Sequence, residues 1–566
     1  MKTWLLALAL AGCAAPHAVL LTGGKVWTGD AARPHASAVL VVDGTIRAVG
    51  EDAEVLRAAP RGCRRVALRG RVVTPGFMDA HIHILGGGLG LDRLDLAPYK
   101  TKAEILAAIA AYAKAHPERP WIQGRGWSYD AFKPGMPTAA ELDSAVGDRP
   151  AYLRAYDGHS AWASSRALAL AGVTEATPDP KEGTIVRVAG SRRPSGALLE
   201  DAMGAVEEKM PHPTAGEKKA AIVRALELAA SLGVTAAGEV GGELADLALY
   251  EALEREGKLP IRVSYGPAVE DGAAPYAPRA RALAAAGGLL TGGPQKGFVD
   301  GVVESNTAQL LAPPADGSGP SAPPHLDGAT IEQQLRAARA VGLDVAYHAV
   351  GDGGVRAVLD AAERAGATSA NGARTRIEHI EVVDPADLRR FAALGVIASM
   401  MPIHADPSNE APGGDGDDAD DDTGVWSKKV GAARLRYAFA FRSLLDAGAR
   451  LAFGSDWPVA PIDPLRGIAI AVTRQNDAGK PKAGWIPGQR IDIDAALAAY
   501  TAGSAYAMRL DGRTGTLRPG LAGDLVVLAP EASLTAPASL HHAQVDLTLV
   551  GGKVVFARDP KHPAPR

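Results

Sequence analysis

Cysteine is almost missing from this sequence, since Cys13 and Cys63 are the only two. So few thiols exclude a disulfide framework of the kind that holds small secreted domains together. Aromatic residues are also scarce, at 5% of the chain, so we expect an aliphatic and closely packed core. Basic charge is not in excess either, because the formal net charge is -4 at pH 7. This balance argues against a nucleic-acid partner.

Apolar residues, by contrast, are plentiful. Hydrophobic residues make up 47% and charged residues 22% of the 566 positions, an ordinary globular balance with ample material for a large core. A chain of this length would ordinarily divide into domains of about 150 residues, but α/β barrels run longer as one unit. One large barrel with smaller satellites therefore fits the length as well as several domains do.

Residues 1–17 have the features of an export signal. Lys2 supplies the positive start, an apolar run follows, and Leu10-Ala11-Gly12-Cys13 resembles the cleavage box of bacterial lipoproteins. The apolar run is too short for a membrane span. We therefore expect an exported bacterial protein, either periplasmic or anchored in the membrane through a lipid on Cys13. The alternative is an ordinary secretory signal peptide that is cleaved without lipidation, in which case Cys13 has no special role.

Strand-and-turn patterns occupy both ends of the chain. Residues 18–74 alternate β-branched residues with turn pairs such as Asp43-Gly44, and residues 515–530 and 546–560 repeat this pattern. Chain termini often lie close together in a domain. We expect residues 18–74 and 508–566 to pair into one small composite β-sandwich.

Between these ends, residues 75–507 alternate strand-like apolar runs with amphipathic helical ones. Eight strands that are each followed by a helix define a (β/α)8 TIM barrel, which is the fold we predict for this α/β chain. The predicted barrel strands are 77–83, 233–240, 261–266, 295–301, 343–349, 375–381, 395–404 and 449–457. The interval of about 88–215 after the first strand is too long for one helix and must hold an inserted subdomain.

Three helices of the barrel are clear from their patterns, at 330–342, 384–395 and 437–448. Thr330 and Asp384 stand at two of the starts, and glycines follow near the ends, as helix caps require. These helices separate the later predicted strands, which supports the alternation that a barrel needs.

The acidic, glycine-rich segment 406–424 invites comparison with a calcium-binding loop. If Asp418 supplied the first ligand, the position that requires Gly would be Thr423 and the closing Glu would be Lys429. The spacing fails at both positions. We therefore expect a solvated, mobile loop.

His81 and His83 lie at the end of the first predicted barrel strand. Residues i and i+2 of a strand point the same way, so both imidazoles can converge on one metal ion. Such a pair by itself is more often explained by packing or by chance. The run 86–88 of three glycines follows at once, and glycines allow close approach to the backbone.

Three further residues of metal-binding type end other predicted strands: His348, His379 and Asp456. Each alone would be interpreted as a hydrogen-bonded polar group. Together with the first two histidines they place imidazoles and a carboxylate on the carboxyl-terminal rim, where barrel active sites lie. Because packing alone would seldom gather several imidazoles there, we predict a divalent metal site.

In these motifs the sequence resembles the amidohydrolase superfamily, and within it the amidohydrolase-3 branch of hydrolases similar to N-substituted formamide deformylase. The motifs are PGFMDAHIH (75–83), KGFVDG (296–301), HAVGDGG (348–354), RIEHI (376–380), GSDWPV (454–459) and RPGLAGDLVVL (518–528). They span nearly the whole chain after the signal. The resemblance implies a barrel with a flanking β-sandwich, one or two divalent ions, usually Zn2+, and hydrolysis by a metal-activated water.

Lys296 acquires a second interpretation from this resemblance. From the residues alone, a Lys at the start of a buried strand is more often the partner of a carboxylate than a ligand. The resemblance implies that CO2 can carboxylate its N6 atom to a carbamate that bridges two metals, which requires a neutral amine. The predicted metal ligands are accordingly His81, His83, Lys296, His348, His379 and Asp456.

Contact with substrate is predicted for three further residues. The resemblance points to Trp127 in GRGWSYD (124–130) and His159 in DGHSAWASS (157–165); a core position and a loop hydrogen bond, respectively, are the alternatives. His404 ends the seventh predicted strand and is a candidate to polarise the scissile carbonyl or to contact substrate. Glu200 and Glu239 fall near carboxylate positions of the family and receive no role.

The expected function is hydrolysis of a non-peptide C–N bond in a small amide, N-acyl or N-formyl compound. Asp456 would take a proton from the attacking water and pass it to the leaving amine. Ester or lactone hydrolysis at the same site is one alternative, and a catalytically silent barrel that only binds its ligand is another. We expect no nucleic-acid partner, and contact with the membrane only through the lipid anchor. A homodimer is a candidate oligomeric state that the sequence does not decide.

Overall fold

The structure is a computed structural model that describes residues 17–133, 135–155, 160–181, 183–409 and 424–558. The chain in these ranges divides into two compact units. The first contains the residues up to 85 and those from 223 onward, and the second contains residues 86–222. The insertion predicted at about 88–215 lies within the second unit.

The described residues form strands β1 to β25. In order, these are Ala18–Thr22, Lys25–Trp27, His35–Ala36, Ala38–Val42, Thr45–Gly50, Arg64–Ala67, Val72–Pro75, Phe77–Ile82, Leu94–Asp95, Ile122–Trp127, Ala151–Ala155, Ser160–Ala163, Gly183–Arg187, Pro194–Glu200, Val234–Gly242, Arg262–Pro267, Leu290–Gly292, Gln295–Phe298, Val345–Ala349, Arg376–His379, Ile397–Met400, Arg450–Phe453, Leu525–Leu528, Val545–Val550 and Lys553–Ala557.

The same ranges contain helices α1 to α18. In order, these are Asp52–Ala58, Ile84–Gly90, Lys102–Ala115, Ala139–Val146, Ser165–Leu170, Gly204–Glu207, Ala215–Ser231, Leu247–Arg255, Ala273–Ala286, Gly328–Ala340, Asp352–Ala365, Leu388–Leu394, Val425–Val430, Ala432–Leu435, Phe441–Asp446, Pro464–Thr473, Ile493–Ala498 and Ser504–Ala507.

Two parallel sheets form the centre of the first unit. One has the strand order β17-β16-β15-β8, and the other has the order β18-β19-β20-β21-β22. Strands β8, β16, β20 and β21 are buried at every residue, as expected when helices cover both faces of a parallel sheet. Leu335 of α10 and Leu359 of α11 supply part of this cover and are buried in the same apolar cluster.

Hydrogen bonds connect the two sheets at both edges of the five-stranded sheet, beside β18 and after β22. Ala268, just past β16, pairs with Lys296 of β18 in a parallel bridge. At the other edge, the backbone N–H of Asp456 donates to the carbonyl oxygen of His81 at 2.8 Å, and that of His83 donates to Trp457 at 2.9 Å. The segment after β22 is therefore held beside the end of β8.

Strands from the two ends of the chain pair in the first unit. β7 and β23 are antiparallel, with Val73 opposite Val527, in a sheet of order β25-β24-β23-β7-β2-β3. A neighbouring sheet has the order β5-β4-β1-β6. One apolar cluster contains Val41 of the second sheet and Leu525 and Leu549 of the first, so the two sheets share a core.

The second unit contains a sheet of order β13-β14-β12-β11-β10-β9. Capping boxes fix the starts of two of its helices, because Thr101 and Thr138 each accept an N–H bond from a Glu three residues on, whose side chain bonds back. Trp127 and Trp162 are fully buried in its core.

Each of the eight predicted barrel strands overlaps an observed strand. Six of the observed strands are shorter than predicted, whereas β15 runs on to Gly242 and β16 is shifted by one residue, to Pro267. The fourth predicted strand, 295–301, contains β18 alone, and the short β17 that precedes it was not predicted. Pro294, which has no N–H to donate to a ladder, lies between the two.

Helix α10 begins at Gly328 and not at Thr330, because the side chain of Asp327 accepts the Thr330 N–H at 2.7 Å. The predicted cap at Thr330 is therefore wrong by three positions.

Several predictions concern residues outside the described ranges. The export signal with Cys13 falls on residues 1–16, most of the acidic segment on 410–423, and His159 on 156–159. Within the part of the chain that is described, no helix combines the length and the apolar character that a membrane crossing needs.

Candidate metal centre

The predicted metal ligands all belong to the first unit, and most lie near the carboxyl ends of its parallel strands. They are His81 in β8, His83 just after it, Lys296 in β18, His348 in β19, His379 at the end of β20 and Asp456 shortly after β22. Because parallel strands of a sheet end at the same edge, residues far apart in sequence meet there.

Asp456 lies at the middle of this group. Its Oδ1 is 3.3 Å from Nε2 of His81 and 3.1 Å from Nε2 of His83. One donor atom each from His81, His379 and Asp456 lie within 4.8 Å of one another, and all three residues are buried. This spacing suits a single shared ion.

His348 completes the ring of imidazoles. Its ring centroid is 4.4 Å from that of His379, which in turn is 5.0 Å from that of His81. Nε2 of His348 lies 3.1 Å from the carbonyl oxygen of Gly301. If Nε2 carries the proton that is donated to Gly301, then Nδ1 is the nitrogen that faces an ion.

Lys296 is buried against these imidazoles, and 1% of the residue is exposed. Its Nζ lies 3.3 Å from Nε2 of His81. Desolvation lowers the pKa of Lys296 to about 8, against the opposing effect of Glu378 and Asp456. The amine is therefore neutral over a wider pH range than a Lys in water.

The donor set fits a divalent ion. Burial lowers the pKa of His379 well below its usual value, which keeps that imidazole neutral. Burial raises the pKa of Asp456, but contacts with His81 and His83 have the larger effect. They hold the pKa of this carboxyl well below its usual value. Among the described residues, the buried Oδ1 of Asp456 has no hydrogen bond of good geometry. Neutral imidazoles beside an ionised carboxylate are the ligands that zinc and similar ions take.

Two of these residues have a strained backbone. The angle φ is 73° at His379 and 61° at Asp456, in the left-handed region that residues with a side chain seldom occupy. Such conformations concentrate at functional sites, where the surrounding structure holds them in place. No pattern in the sequence indicates these two conformations.

Sequence reasoning missed the pair of residues that orients His81. Oε2 of Glu378 lies 2.6 Å from Nδ1 of His81, and the guanidinium of Arg376 donates to Oε1 of Glu378 at 2.8 Å. Burial raises the pKa of Glu378, but Arg376 and His81 lower it more, so the carboxylate is ionised. A carboxylate on the far nitrogen of a ligand histidine fixes its tautomer and its ring. The alternating polar residues of the motif RIEH were the available signal.

His404 lies in a short 3-10 turn, Pro402–Ala405, that follows β21. Its Nε2 is 3.8 Å from Oδ2 of Asp456, and its ring is stacked at 5.9 Å on that of His379. The structure therefore brings this candidate catalytic residue to the ligand group.

Trp127 and Glu239 are both buried and hydrogen-bonded. Trp127 has no exposed surface, and its Nε1 donates to the carbonyl oxygen of Leu153 at 2.8 Å in the core of the second unit. This is the core position named above as the alternative to substrate contact. Glu239 is buried in the first unit and accepts hydrogen bonds from Tyr250 at 2.7 Å and from the Leu85 N–H at 3.2 Å.

The chain belongs to the amidohydrolase family, whose family model matches residues 64–556. It is 32% identical to Protein LONG AFTER FAR-RED 3 of Arabidopsis thaliana, over 95% of this chain and 91% of that protein. It is 28% identical to N-substituted formamide deformylase of Arthrobacter pascens, over 95% of this chain and 98% of that enzyme.

A solved structure is also similar to this chain, an uncharacterized metal-dependent hydrolase from Pyrococcus horikoshii. Its TM-score is 0.74 at 26% identity, over 93% of this chain and 99% of that one. These findings confirm the resemblance predicted from the motifs. They define a metal-dependent hydrolase of mixed α/β fold.

Proposed function

We propose that this protein hydrolyses a non-peptide C–N bond, as in an amide, N-acyl or N-formyl compound, with a divalent ion at the site described above. The observation that carries the proposal is the buried group of His81, His379 and Asp456, with donor atoms within 4.8 Å of one another. Membership of the amidohydrolase family supports hydrolysis, and the likeness to N-substituted formamide deformylase supports an amide-type substrate.

We also infer that the two parallel sheets are parts of one (β/α)8 barrel with a flanking β-sandwich. The bridge between Ala268 and Lys296, and the bonds that tie the segment after β22 to β8, support closure at both edges. When β17 and β18 count as one interrupted strand, the two sheets together have eight strands. The pairing of β7 with β23 and the shared apolar cluster support the sandwich.

The proposed reaction assigns separate tasks to the residues of the site. The predicted ligands would hold a divalent ion, which when bound lowers the pKa of water and polarises a carbonyl. Asp456 accepts one proton of the attacking water and passes it to the leaving nitrogen, so that amide and water become a carboxylic acid and an amine. His404, across from Asp456, is placed to donate to the carbonyl oxygen as negative charge develops there.

Zn2+ is the ion we propose, and Lys296 is proposed to be carboxylated at Nζ. A donor set rich in imidazole favours zinc. Nζ of Lys296 is buried 3.3 Å from a ligand nitrogen of His81, where an ammonium would repel a dication. A carbamate would supply two oxygens and a negative charge to divalent ions held at this site.

The test is a panel of matched substrates with zinc-loaded protein. Each pair shares its acyl group and differs only in the bond, for example N-butylformamide against butyl formate. We expect amide turnover that is absent in Asp456→Asn. Turnover of the esters alone would indicate an ester or lactone hydrolase, and no turnover of any member would favour a protein that only binds its ligand.

Export and lipidation of Cys13 are proposed from residues 1–17 alone. A short tether between Cys13 and β1, which starts at Ala18, would keep the enzyme close to its membrane. Its partner in this location would be a small-molecule amide, with a second copy of the chain as a further candidate.

A further inference from the structure

His404 lies between two carboxylates of the first unit. Its Nδ1 is 3.8 Å from Oε1 of Glu381, and its Nε2 is 3.8 Å from Oδ2 of Asp456. The side chains of His404 and Glu381 are 15% and 12% exposed, so solvent screens neither strongly. Both distances exceed those of direct hydrogen bonds, as is common before substrate tightens a catalytic site.

Glu381 is fixed by a different segment of the chain. The indole Nε1 of Trp426, in α13, donates to Oε2 of Glu381 at 2.7 Å. The backbone is held as well, because the N–H of Phe439 donates to the carbonyl oxygen of Glu381 at 2.8 Å. One carboxylate oxygen is thus bound to Trp426 while the other faces His404.

Trp426 has little freedom to move. It is 3% exposed, its ring stacks on Phe439 at 5.4 Å, and it meets the edge of Trp485 at 5.9 Å. A buried Trp needs a partner for its N–H, and side-chain donors most often take a backbone or water oxygen. Here the partner is a carboxylate that contacts the candidate catalytic histidine.

We propose that Glu381, oriented by Trp426, is a positioning residue that fixes the His404 ring with Nδ1 toward Glu381 and Nε2 toward Asp456 and the substrate carbonyl. A carboxylate beside one ring nitrogen accepts its N–H and so sets the orientation of the ring. The other nitrogen is then directed at the reacting atoms, and it donates to the carbonyl oxygen when both ring nitrogens carry a proton. This inference rests on the proposed function, because it assigns His404 its role in hydrolysis. Glu381 acts through His404 and contacts no reacting atom.

The test compares Glu381→Gln and Trp426→Phe with the wild type. Loss of a residue that orients a functional histidine typically costs about 10- to 100-fold. We expect kcat to fall by that factor in Glu381→Gln, with KM and bound metal per chain unchanged. Trp426→Phe should lose less, since Glu381 keeps its charge, and Glu381→Asp should recover part of the loss.

Trp485→Phe is the matched control, because it removes an indole N–H from the same aromatic cluster without touching Glu381. It should keep wild-type kcat. Equal losses in Trp485→Phe and Trp426→Phe would show that the cluster matters only for folding, and would overturn the proposal. Loss of metal in Glu381→Gln would also overturn it, because Glu381 would then act on the ion site.

A second readout does not depend on turnover. In protein labelled with 15N-histidine, the His404 signals, assigned from a His404→Asn sample, report which ring nitrogen carries the proton. We expect these signals to shift in Glu381→Gln and to stay in place in Trp485→Phe. Unchanged His404 signals in Glu381→Gln would refute the positioning role even if no substrate were ever hydrolysed. If Glu381→Gln failed to fold, Trp426→Phe would carry the same measurement.

Discussion

Asp456 has two tasks in the proposed reaction, as a ligand and as a proton carrier. In Asp456→Asn, the amide can still occupy the site but cannot accept a proton from water. We expect the fold and much of the metal to remain while kcat falls by about 10²- to 10⁴-fold, the usual contribution of general acid–base catalysis. Steady-state kinetics with metal analysis of the same sample checks this, and near wild-type kcat would remove Asp456 from the proton transfer.

Lys296 provides the second prediction for a single residue. Lys296→Ala should lose metal and activity, because the variant could not form the proposed carbamate. Short carboxylic acids in the buffer should restore part of both, since a carboxylate can take the place of the carbamate between the ions. Full metal content and turnover in Lys296→Ala, or an unmodified Lys296 that points away from the ions in an experimental density map, would contradict carboxylation.

The functional roles of some single residues can be predicted from the sequence, and those of others cannot. His81, His348, His379 and Asp456 could be predicted because their residue types suit a metal and each stands at the end of an apolar run. Glu378 was missed, because the motif RIEH shows only that it is polar and its role comes from a 2.6 Å contact with a histidine 297 positions away. The same holds for Glu381, whose partner Trp426 is 45 positions along the chain.

Among the elements, the turn from β22 to Asp456 must pack tightly against β8. A Cβ atom on Gly454 would lie 2.7 Å from the His81 nitrogen and 2.9 Å from Oδ1 of Asp79. Asp79 already accepts hydrogen bonds from the N–H groups of Ser455 at 3.0 Å and of His81 at 3.2 Å. The turn therefore has no room for a methyl group.

Gly454→Ala should destabilise the fold by about 1–3 kcal/mol, the usual cost of overpacking, and should weaken metal binding by displacing His81. Gly512→Ala is the control, because a Cβ there meets nothing within 4 Å. Denaturant unfolding and a metal titration measure the two effects. Equal stability and metal affinity in both variants would show that this turn does not set the position of the ligand.

Strands that appear in the sequence as apolar runs between turn residues were predicted well. Short elements beside them were not. The runs that became β8, β15 and β19 are apolar and bounded by turn residues, so the pattern indicates them directly. The short strand β17 was missed because it has only three residues before Pro294. The substrate contact of Trp127 was predicted from a family motif and not from the pattern of apolar residues. In the structure this residue is buried in a core.

At the scale of the whole molecule, the proposed export and lipid anchor rest on residues 1–17. Cys13→Ala should leave the export signal but remove the acylation site, so the protein should move from the membrane fraction to the soluble periplasmic fraction. Fractionation and the mass of the mature N-terminus check this. If Cys13→Ala left the distribution unchanged and no acyl mass appeared on the wild type, Cys13 would have no special role.

For the second unit, the sequence predicts that an insertion is present but not how it folds. The insertion could be predicted from its length, because no single helix fills about 128 residues between consecutive predicted strands. Its mixed sheet of order β13-β14-β12-β11-β10-β9 could not be, since that order depends on pairings between strands that carry no distinctive spacing. The identity of the substrate within the proposed class is equally beyond the motifs, because they indicate the ligands and not the walls of a pocket.

Metal dependence tests the proposed function most directly. Purified, active protein should contain at least one divalent ion per chain, chelation should abolish amide hydrolysis, and Zn2+ or another divalent ion should restore it. Bound metal and turnover are to be measured on the same sample before chelation, after it, and after reloading. Full turnover with well under one ion per chain would contradict the proposed mechanism.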